Sequence, residues 1–286
     1  MLDGFLKRFM LIFSLLKRSV TKLMWFFLLL FTFISVPAQL SANDDLPFVA
    51  IVVDDLGDNY SRGLRAVKLP GDVTYSILPH TPYSKNLAAR INRSGREVML
   101  HLPMQPLGEE NMGPGGLHHT MSKSQFIKTV RNNIASIPYI AGINNHMGSL
   151  LTQQSIQMNW LMDELNENND FYFVDSYTHA GSVAFRTAQR LNVPSATRDI
   201  FLDHVIEAGE IDKQFLRLIK RARIFGSALG IAHPHMETLL ALEYWIPQLA
   251  AEGIELVPVS QYIELKNQRN PTWQASLSLS RKAAKN

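Results

Sequence analysis

Short apolar runs alternate with amphipathic stretches along about 210 residues of this chain, and no other feature constrains its fold as strongly. Strands are predicted at Phe48–Val53, Val73–Leu78, Glu97–Leu102, Tyr139–Asn144, Phe171–Asp175, around Ser195–Leu202, Ala228–His233 and Ile254–Val259. Regular β–α alternation is typical of a parallel sheet, because parallel neighbours are joined by crossover helices. Seven or eight such strands favour a barrel, and the chain has no glycine-rich nucleotide-binding motif.

Local signals mark several connecting segments. Ser122 and Gln125 have the spacing of a capping box before an apolar helical face. Pro247 predicts a kink in the helical stretch Met236–Ala251. Residues 103–121, rich in Pro, Gly, Met and His, form a long irregular loop, and loops of that length within a compact domain are often functional.

The first 42 residues have the pattern of a secretory signal peptide. Five basic residues precede the apolar run Leu23–Val36, and small residues follow it at Ala38, Ser41 and Ala42. The run is shorter than the roughly 20 apolar residues of a bilayer span. We therefore predict that residues 1–42 are a cleaved signal peptide, with an uncleaved anchor as the alternative. The mature protein is then expected in the periplasm, with no membrane attachment after cleavage.

Removing this leader changes the charge balance of the chain. The leader holds 5 of the 28 basic residues and 1 of the 25 acidic residues, so 23 basic and 24 acidic residues remain. No basic surface for nucleic acid is therefore expected. The chain has no cysteine, which excludes disulfides and thiolate metal sites.

Two adjacent carboxylates, Asp54 and Asp55, follow the first predicted strand, and Gly57 allows a sharp turn after them. Polar residues at the carboxyl ends of parallel strands lie where α/β folds build their sites. Consecutive strand residues point to opposite sides, so the two carboxylates are expected to take different directions and different roles. A lone aspartate here is more typical of a helix cap or a turn. The pair favours a functional site.

Ionisable residues also stand at the ends of four other predicted strands: His101, His146, Asp175, and the pair His233 and His235. Imidazole and carboxylate groups together suit Zn²⁺ and similar divalent ions. Taken singly, a histidine on an apolar strand is more often a hydrogen-bonded structural residue, and Asn144 and Asn145 are typical of a turn. The repetition at strand ends predicts one shared site.

Four of these motifs together resemble the divergent polysaccharide deacetylase family, a distant branch of the NodB-type carbohydrate deacetylases. They are Asp54-Asp55, His101-Leu-Pro-Met-Gln-Pro, Asn144-Asn-His-Met-Gly-Ser and His233-Pro-His. The resemblance covers about residues 48–265 and implies an α/β fold, a distorted (β/α) barrel with about seven parallel strands. We accordingly expect a polysaccharide-deacetylase-like domain at residues 43–266 and a poorly ordered, basic tail at residues 267–286.

By resemblance to the wider group, Asp54 is the general base, Asp55 is a metal ligand and His233 is the general acid. The wider group takes two further ligands from one His-x-x-x-His segment, which this chain lacks. The histidine ligands are then most simply His101 and His146, contributed by separate strands.

Two more residues complete the predicted site. Asp175 or His235 is expected to orient the general acid or to complete the metal shell. The predicted cofactor is a divalent metal, with Zn²⁺ preferred. Tyr83, Tyr177 and Trp245 are candidates for stacking against a sugar.

The sequence therefore predicts an exported, metal-dependent carbohydrate deacetylase acting on an acetylated envelope glycan or sugar. One alternative is a non-catalytic metal- or glycan-binding barrel that acts through an envelope protein partner, which the missing His-x-x-x-His segment favours. A second is a metal-independent glycoside hydrolase that uses Asp54 and Asp175, against which the surplus of histidines counts.

Overall fold

A computed structural model describes residues 46–168 and 171–269. The predicted leader at residues 1–42 and the predicted tail from residue 270 onward lie outside these residues. Residues 267–269, at the start of the predicted tail, belong to the last described helix. Within the described ranges, no helix is long and apolar enough to cross a membrane.

Parallel strands and helices alternate along the described chain, as predicted. The strands are β1 (Phe48–Leu56), β2 (Thr74–Ile77), β3 (Val98–Met104), β4 (Ile140–Met147), β5 (Tyr172–Asp175), β6 (Ser195–Thr197), β7 (Ile200–Phe201), β8 (Ser227–Ala232) and β9 (Glu255–Leu256). The helices are α1 (Tyr60–Ala66), α2 (Ser84–Arg93), α3 (Lys123–Ser136), α4 (Ser155–Asn168), α5 (Ala184–Arg190), α6 (Ala208–Phe225), α7 (Met236–Trp245), α8 (Gln248–Ala251) and α9 (Val259–Arg269).

The strands form one curled sheet in the order β6-β5-β4-β3-β2-β1-β8-β7, with β9 beside the start of β1. The predicted strand around Ser195–Leu202 is two strands, β6 and β7, at opposite edges of this sheet. The two residues between them span at most about 11 Å, so the edges must curl towards each other. Arg198 N donates to Asp175 O, and Asp199 N donates to Leu229 O. The predicted distorted (β/α) barrel is therefore confirmed, with eight strands along the curled path and a seam between β6 and β7.

Alternation along β1 divides the core into two layers. Val49, Ile51 and Val53 belong to the apolar layer shared with the surrounding helices. Phe48 and Val52 belong to the layer inside the barrel. Both faces of the strand are buried, which explains its continuous apolar run.

The inner layer is closed from the amino-terminal end of the strands by α9, whose Tyr262 packs edge-on against Phe48 at 5.4 Å between ring centroids. The opposite end of the barrel is left for polar residues. The carboxyl ends of the strands thus form the rim on which a site can be built.

The predicted local signals have structural counterparts. The side chain of Ser122 accepts from Gln125 N, and Gln125 Oε1 accepts from Ser122 N, which makes the capping box of α3. Pro247 divides the helical stretch into α7 and α8, because a proline cannot continue the hydrogen-bond ladder.

Candidate functional site

A bulge at the end of β1 brings both aspartates to the same place. The register with β2 shifts between Val53 and Leu56, and Asp55 has a left-handed φ of +55°. Asp54 keeps the inward direction of the alternating strand, and the bulge turns Asp55 back towards it. Asp54 Oδ1 lies 3.7 Å from Nδ1 of His101, and Asp55 Oδ1 lies 3.1 Å from Nε2 of the same ring. The two carboxylates take different positions around the histidine, and the bulge brings both of them to the same site.

Three potential ligand atoms converge beside this ring, from β1, β3 and β4. Asp55 Oδ1 lies 3.1 Å from His101 Nε2 and 3.0 Å from His146 Nδ1, and the two nitrogens are 3.2 Å apart. Asp55 Oδ1 is buried and accepts no hydrogen bond from the described residues. A buried carboxylate oxygen in that state needs a cation or another donor.

This triangle has the dimensions of a metal site. Ligands about 2.1 Å from an ion are separated by about 3.4 Å in a tetrahedral shell and about 3.0 Å in an octahedral one. The three observed separations, 3.0 to 3.2 Å, fall in this range. Asp55, His101 and His146 form the group of three side chains among the described residues that could hold a metal ion. The donor set therefore fits a divalent cation.

Asn144 connects the candidate ligand His101 to the candidate base Asp54. It is fully buried within β4, and its Oδ1 accepts from His101 Nδ1 at 2.8 Å and from Ser76 Oγ at 2.6 Å. Its Nδ2 donates to Asp54 Oδ1 at 2.8 Å. Because the amide oxygen can only accept, it keeps the proton of His101 on Nδ1 and leaves Nε2 free to bind a metal. Asn144 is therefore a positioning residue of the site and does not close a turn.

The pKa values of Asp54 and Asp55 are shifted in opposite directions. Burial raises the pKa of Asp54 above its ordinary value, although His101, His233 and Asn144 counteract it. Burial also acts to raise the pKa of Asp55, but the imidazoles of His101 and His146 hold it far below its ordinary range. Asp54 thus binds a proton more readily than an exposed aspartate does, which suits a base. Asp55 remains ionised, which suits a metal ligand.

His233 stands at the edge of the same cluster, oriented by Asp203. Its backbone N and its Nδ1 both contact the Asp203 carboxylate, at 2.6 and 3.1 Å. Its Nε2 lies 3.8 Å from Asp55 Oδ2. Burial acts to lower the pKa of His233, but the hydrogen bond and the charge of Asp203 raise it to about 9. The imidazole is therefore protonated at neutral pH, as a general acid must be.

Asp175 does not join this cluster. Its buried carboxylate accepts from Ser182 Oγ at 2.6 Å and from the backbone N of Tyr177 at 2.9 Å and of Phe185 at 3.3 Å. It therefore fixes the loop between β5 and α5. The role predicted for Asp175 as orienter of His233 belongs to Asp203.

His235 also lies apart from the three metal-ligating atoms. It is the residue before α7, its backbone N donates to His233 O at 2.8 Å, and its ring is 6.1 Å from the ring of His233. It is not part of the three-residue group at Asp55. The structure therefore gives no support to its predicted place in the metal shell.

The sequence analysis assigned no role in the site to Asn144 or Asp203, although each lies at or directly after the end of a predicted strand. Asp203 directly follows the predicted strand Ser195–Leu202, so it obeys the same strand-end rule that selected the histidines. Asn144 ends its predicted strand and begins one of the four quoted motifs, but only its contacts with distant residues reveal its role.

The site opens into a cavity of about 310 Å³ at the carboxyl ends of the strands. Besides the residues above, its lining includes Tyr177, Arg198 and Phe201. No residue of the loop 103–121 lines this cavity, whereas the segments after β5 and β6 form part of its wall. A larger cavity of about 670 Å³ between α2 and α3 includes none of the site residues.

Of the aromatic residues predicted to stack against sugar, Tyr177 lies at the rim with 44% of its surface exposed. Tyr83 is exposed and packs against Tyr60. Trp245 stacks on Phe215 and donates its indole N–H to Asp212, so its faces belong to the packing between α6 and α7.

Comparison with known proteins gives the family of the chain. The sequence profile of the divergent polysaccharide deacetylases matches residues 51–263. Protein YibQ of Escherichia coli (strain K12) is 34% identical over 215 residues, which cover 75% of this chain and 67% of that protein. A Haemophilus influenzae protein is 35% identical over 209 residues, covering 73% of this chain and 74% of the relative.

A solved structure shares the fold. The crystal structure of an uncharacterized protein from Agrobacterium tumefaciens C58 aligns with a TM-score of 0.74 and 25% identity. The alignment covers 77% of this chain and 91% of that one. This chain therefore belongs to the divergent polysaccharide deacetylase family, as its motifs predicted.

Proposed function

We propose that this member of the divergent polysaccharide deacetylase family is an exported, metal-dependent hydrolase that removes acetyl groups from carbohydrate. One observation carries the proposal: the triangle of Asp55, His101 and His146 is flanked by the buried carboxylate of Asp54 and by a histidine whose Nδ1 contacts Asp203. A hydrolytic deacetylase needs these three elements: a metal site, a base and an acid.

Asp55, His101 and His146 would hold the cation. Two imidazoles and one carboxylate are a common ligand set of catalytic Zn²⁺ sites, and three protein ligands leave a position open for substrate or water. When bound there, the ion supplies Lewis acidity, which activates water and stabilises negative charge on the acetyl oxygen. Zn²⁺ is the preferred cation because of the imidazole ligands.

Asp54 takes the proton of the attacking water. The carboxylate lies beside the ligand His101 and is held by the amide of Asn144, so its position is fixed before substrate binds. Attack of the water oxygen on the acetyl carbonyl carbon forms the new C–O bond. Asp54 is suited to this step because its burial gives it more proton affinity than an exposed aspartate has.

His233 delivers a proton to the leaving group. Its Nδ1 is engaged by Asp203, so its Nε2 is the nitrogen that faces the cavity. Protonation of the sugar nitrogen or oxygen allows the bond to the acetyl carbon to break. The products are acetate and a free amine or hydroxyl on the sugar.

Family membership supports a carbohydrate substrate, and the predicted signal peptide supports an envelope location, namely the periplasm. An acetylated envelope glycan or a sugar derived from it is therefore the substrate class that we propose.

Both alternatives lose their main support. The absence of a His-x-x-x-His segment favoured a non-catalytic binding barrel, but His101 and His146 come together from neighbouring strands. A two-carboxylate glycoside hydrolase requires Asp175 near Asp54, whereas the carboxylate of Asp175 is engaged by the loop after β5. An envelope protein partner stays a prediction from the sequence.

The test joins metal content to acetate release on the purified mature protein. We expect about one equivalent of divalent metal, lost in Asp55→Ala, His101→Ala and His146→Ala. Asp54→Asn and His233→Ala should keep the metal but release acetate from acetylated oligosaccharides at least about 100-fold more slowly. A rate of acetate release in Asp54→Asn and His233→Ala equal to that of the wild-type protein would refute the mechanism. Absence of bound metal at any loading would refute the site.

A further inference from the structure

A second cavity lies at the barrel seam, next to the candidate active site. Its volume is about 430 Å³, which is within the usual range for ligand pockets. It is formed by the loop after β5, by α5 and by the link between β6 and β7, and α6 contributes Arg221. Three arginines line it: Arg186, Arg198 and Arg221.

The charge that this cavity presents to solvent is positive. Its two carboxylates are turned inward and already engaged. Asp175 is buried in the loop after β5, and Asp199 accepts from Arg221 Nε at 2.8 Å and from Leu229 N at 2.9 Å. The side chain of Arg221, which is ion-paired with Asp199, remains 41% exposed.

Arg186 and Arg198 have unused hydrogen-bond donors. Arg186 projects from α5, is exposed, and makes no ion pair or hydrogen bond with any described residue. Arg198 donates Nε to Ser176 O at 2.7 Å and Nη2 to Tyr177 O at 2.9 Å, and it lies over Phe201. These contacts hold its guanidinium still and leave Nη1 without a partner in residues 46–168 and 171–269. Fixed planar donors of this kind match the oxygens of a carboxylate or phosphate.

The seam cavity and the active-site cavity share a wall. Tyr177 and Arg198 line both of them. Tyr177 has a left-handed φ of +50°, and its backbone N is held by Asp175. A ligand in one cavity therefore lies within one side-chain layer of a ligand in the other.

We propose that the substrate of this site is an acidic carbohydrate, whose carboxylate or phosphate binds Arg186, Arg198 and Arg221 while its acetyl group lies at the metal-ligating cluster. The proposal rests on the proposed deacetylase function and adds the charge class of its substrate. Oxyanion binding by guanidinium groups gives both affinity and orientation, because the bidentate geometry fixes the sugar relative to the acetyl group.

The experiment compares three acetylated amino-sugar oligosaccharides of equal length: neutral, carboxylate-bearing and phosphate-bearing. Binding of each to the metal-loaded protein is measured by calorimetry, in parallel with acetate release. We expect at least one anionic oligosaccharide to bind about tenfold more tightly than the neutral one, with the preference weakened at 0.5 M salt. Arg186→Gln should remove most of that preference. Arg190→Gln, which removes the same charge one turn along α5 and outside the cavity, should retain it.

Equal binding of all three oligosaccharides, or an unchanged anionic preference in Arg186→Gln, overturns the inference. The identity of the preferred oligosaccharide separates carboxylate from phosphate. Failure of the proposed function gives a different result. A preference for anionic oligosaccharides without acetate release would support anion binding by the arginine cavity and exclude the hydrolase. Acetate release from neutral and anionic sugars alike, with no response to Arg186→Gln, would keep the hydrolase and exclude the cavity.

Discussion

Replacement of Asn144 by alanine tests how the fold prepares the metal site. The change removes the acceptor of His101 Nδ1–H, the acceptor of Ser76 Oγ–H and the donor to Asp54. A hydrogen bond to a charged group contributes about 1.5–3 kcal/mol, and a neutral one about 1 kcal/mol. The three bonds together predict a loss of about 3.5–5 kcal/mol in the free energy of unfolding, a large part of the roughly 5–15 kcal/mol typical of a domain.

The same change should weaken metal binding by about 10- to 100-fold, because Nδ1 of His101 loses the partner that sets its tautomer and ring orientation. Metal affinity is measured by calorimetric titration, and stability is measured by urea unfolding of the metal-free protein. The matched control is Asn145→Ala. Asn145 is equally buried on the same strand, but its Oδ1 accepts from Ser176 N and its Nδ2 donates to Met147 O, neither of which belongs to a candidate ligand.

We expect Asn145→Ala to destabilise the protein by about 1–3 kcal/mol while changing metal affinity by no more than about twofold. Wild-type metal affinity in Asn144→Ala would refute the inference that this amide orients the ligand. Equal losses of affinity in the two variants would mean that the effect comes from general loosening of β4.

Three further predictions concern the acid, the metal and the loop after β5. Asp203→Asn should lower the pKa of His233 from about 9 towards the ordinary value near 6.5. Because the general acid must be protonated, the pH at which acetate release declines should fall by the same amount. An unchanged pH–rate profile would exclude Asp203 as the partner of His233. Zn²⁺ at about 100 times its Kd should raise the free energy of unfolding by about 2.7 kcal/mol, and a chelator should reverse this gain. A melting temperature that changes with neither Zn²⁺ nor chelator would argue against binding to the native state. Asp175→Ala should lower the free energy of unfolding by about 2–4 kcal/mol through its lost hydrogen bonds, while the metal content stays unchanged. Loss of metal with little loss of stability would show that Asp175 belongs to the metal site after all.

The sequence was informative wherever function follows a local pattern. Alternating apolar segments predicted the parallel sheet, and the rule that sites lie at the carboxyl ends of strands selected Asp54, Asp55, His101, His146 and His233, which the structure brings together. The same rule also selected Asp175, whose side chain turns into the loop after β5. Position along a strand therefore identifies the rim, but not the direction of each side chain on it.

The sequence by itself determined the alternation of strands and helices, the curled parallel architecture and the polar character of the rim. It could do so because a strand that is buried on both faces is apolar at consecutive positions, and this pattern is visible in the sequence. Only the tertiary structure decided which polar groups meet. One extra residue in the β1 bulge redirects Asp55, since each single-residue shift moves a side chain to the other face. The contacts of Asn144 with Asp54 and of Asp203 with His233 join residues 90 and 30 positions apart, and such pairings depend on the closure of the sheet.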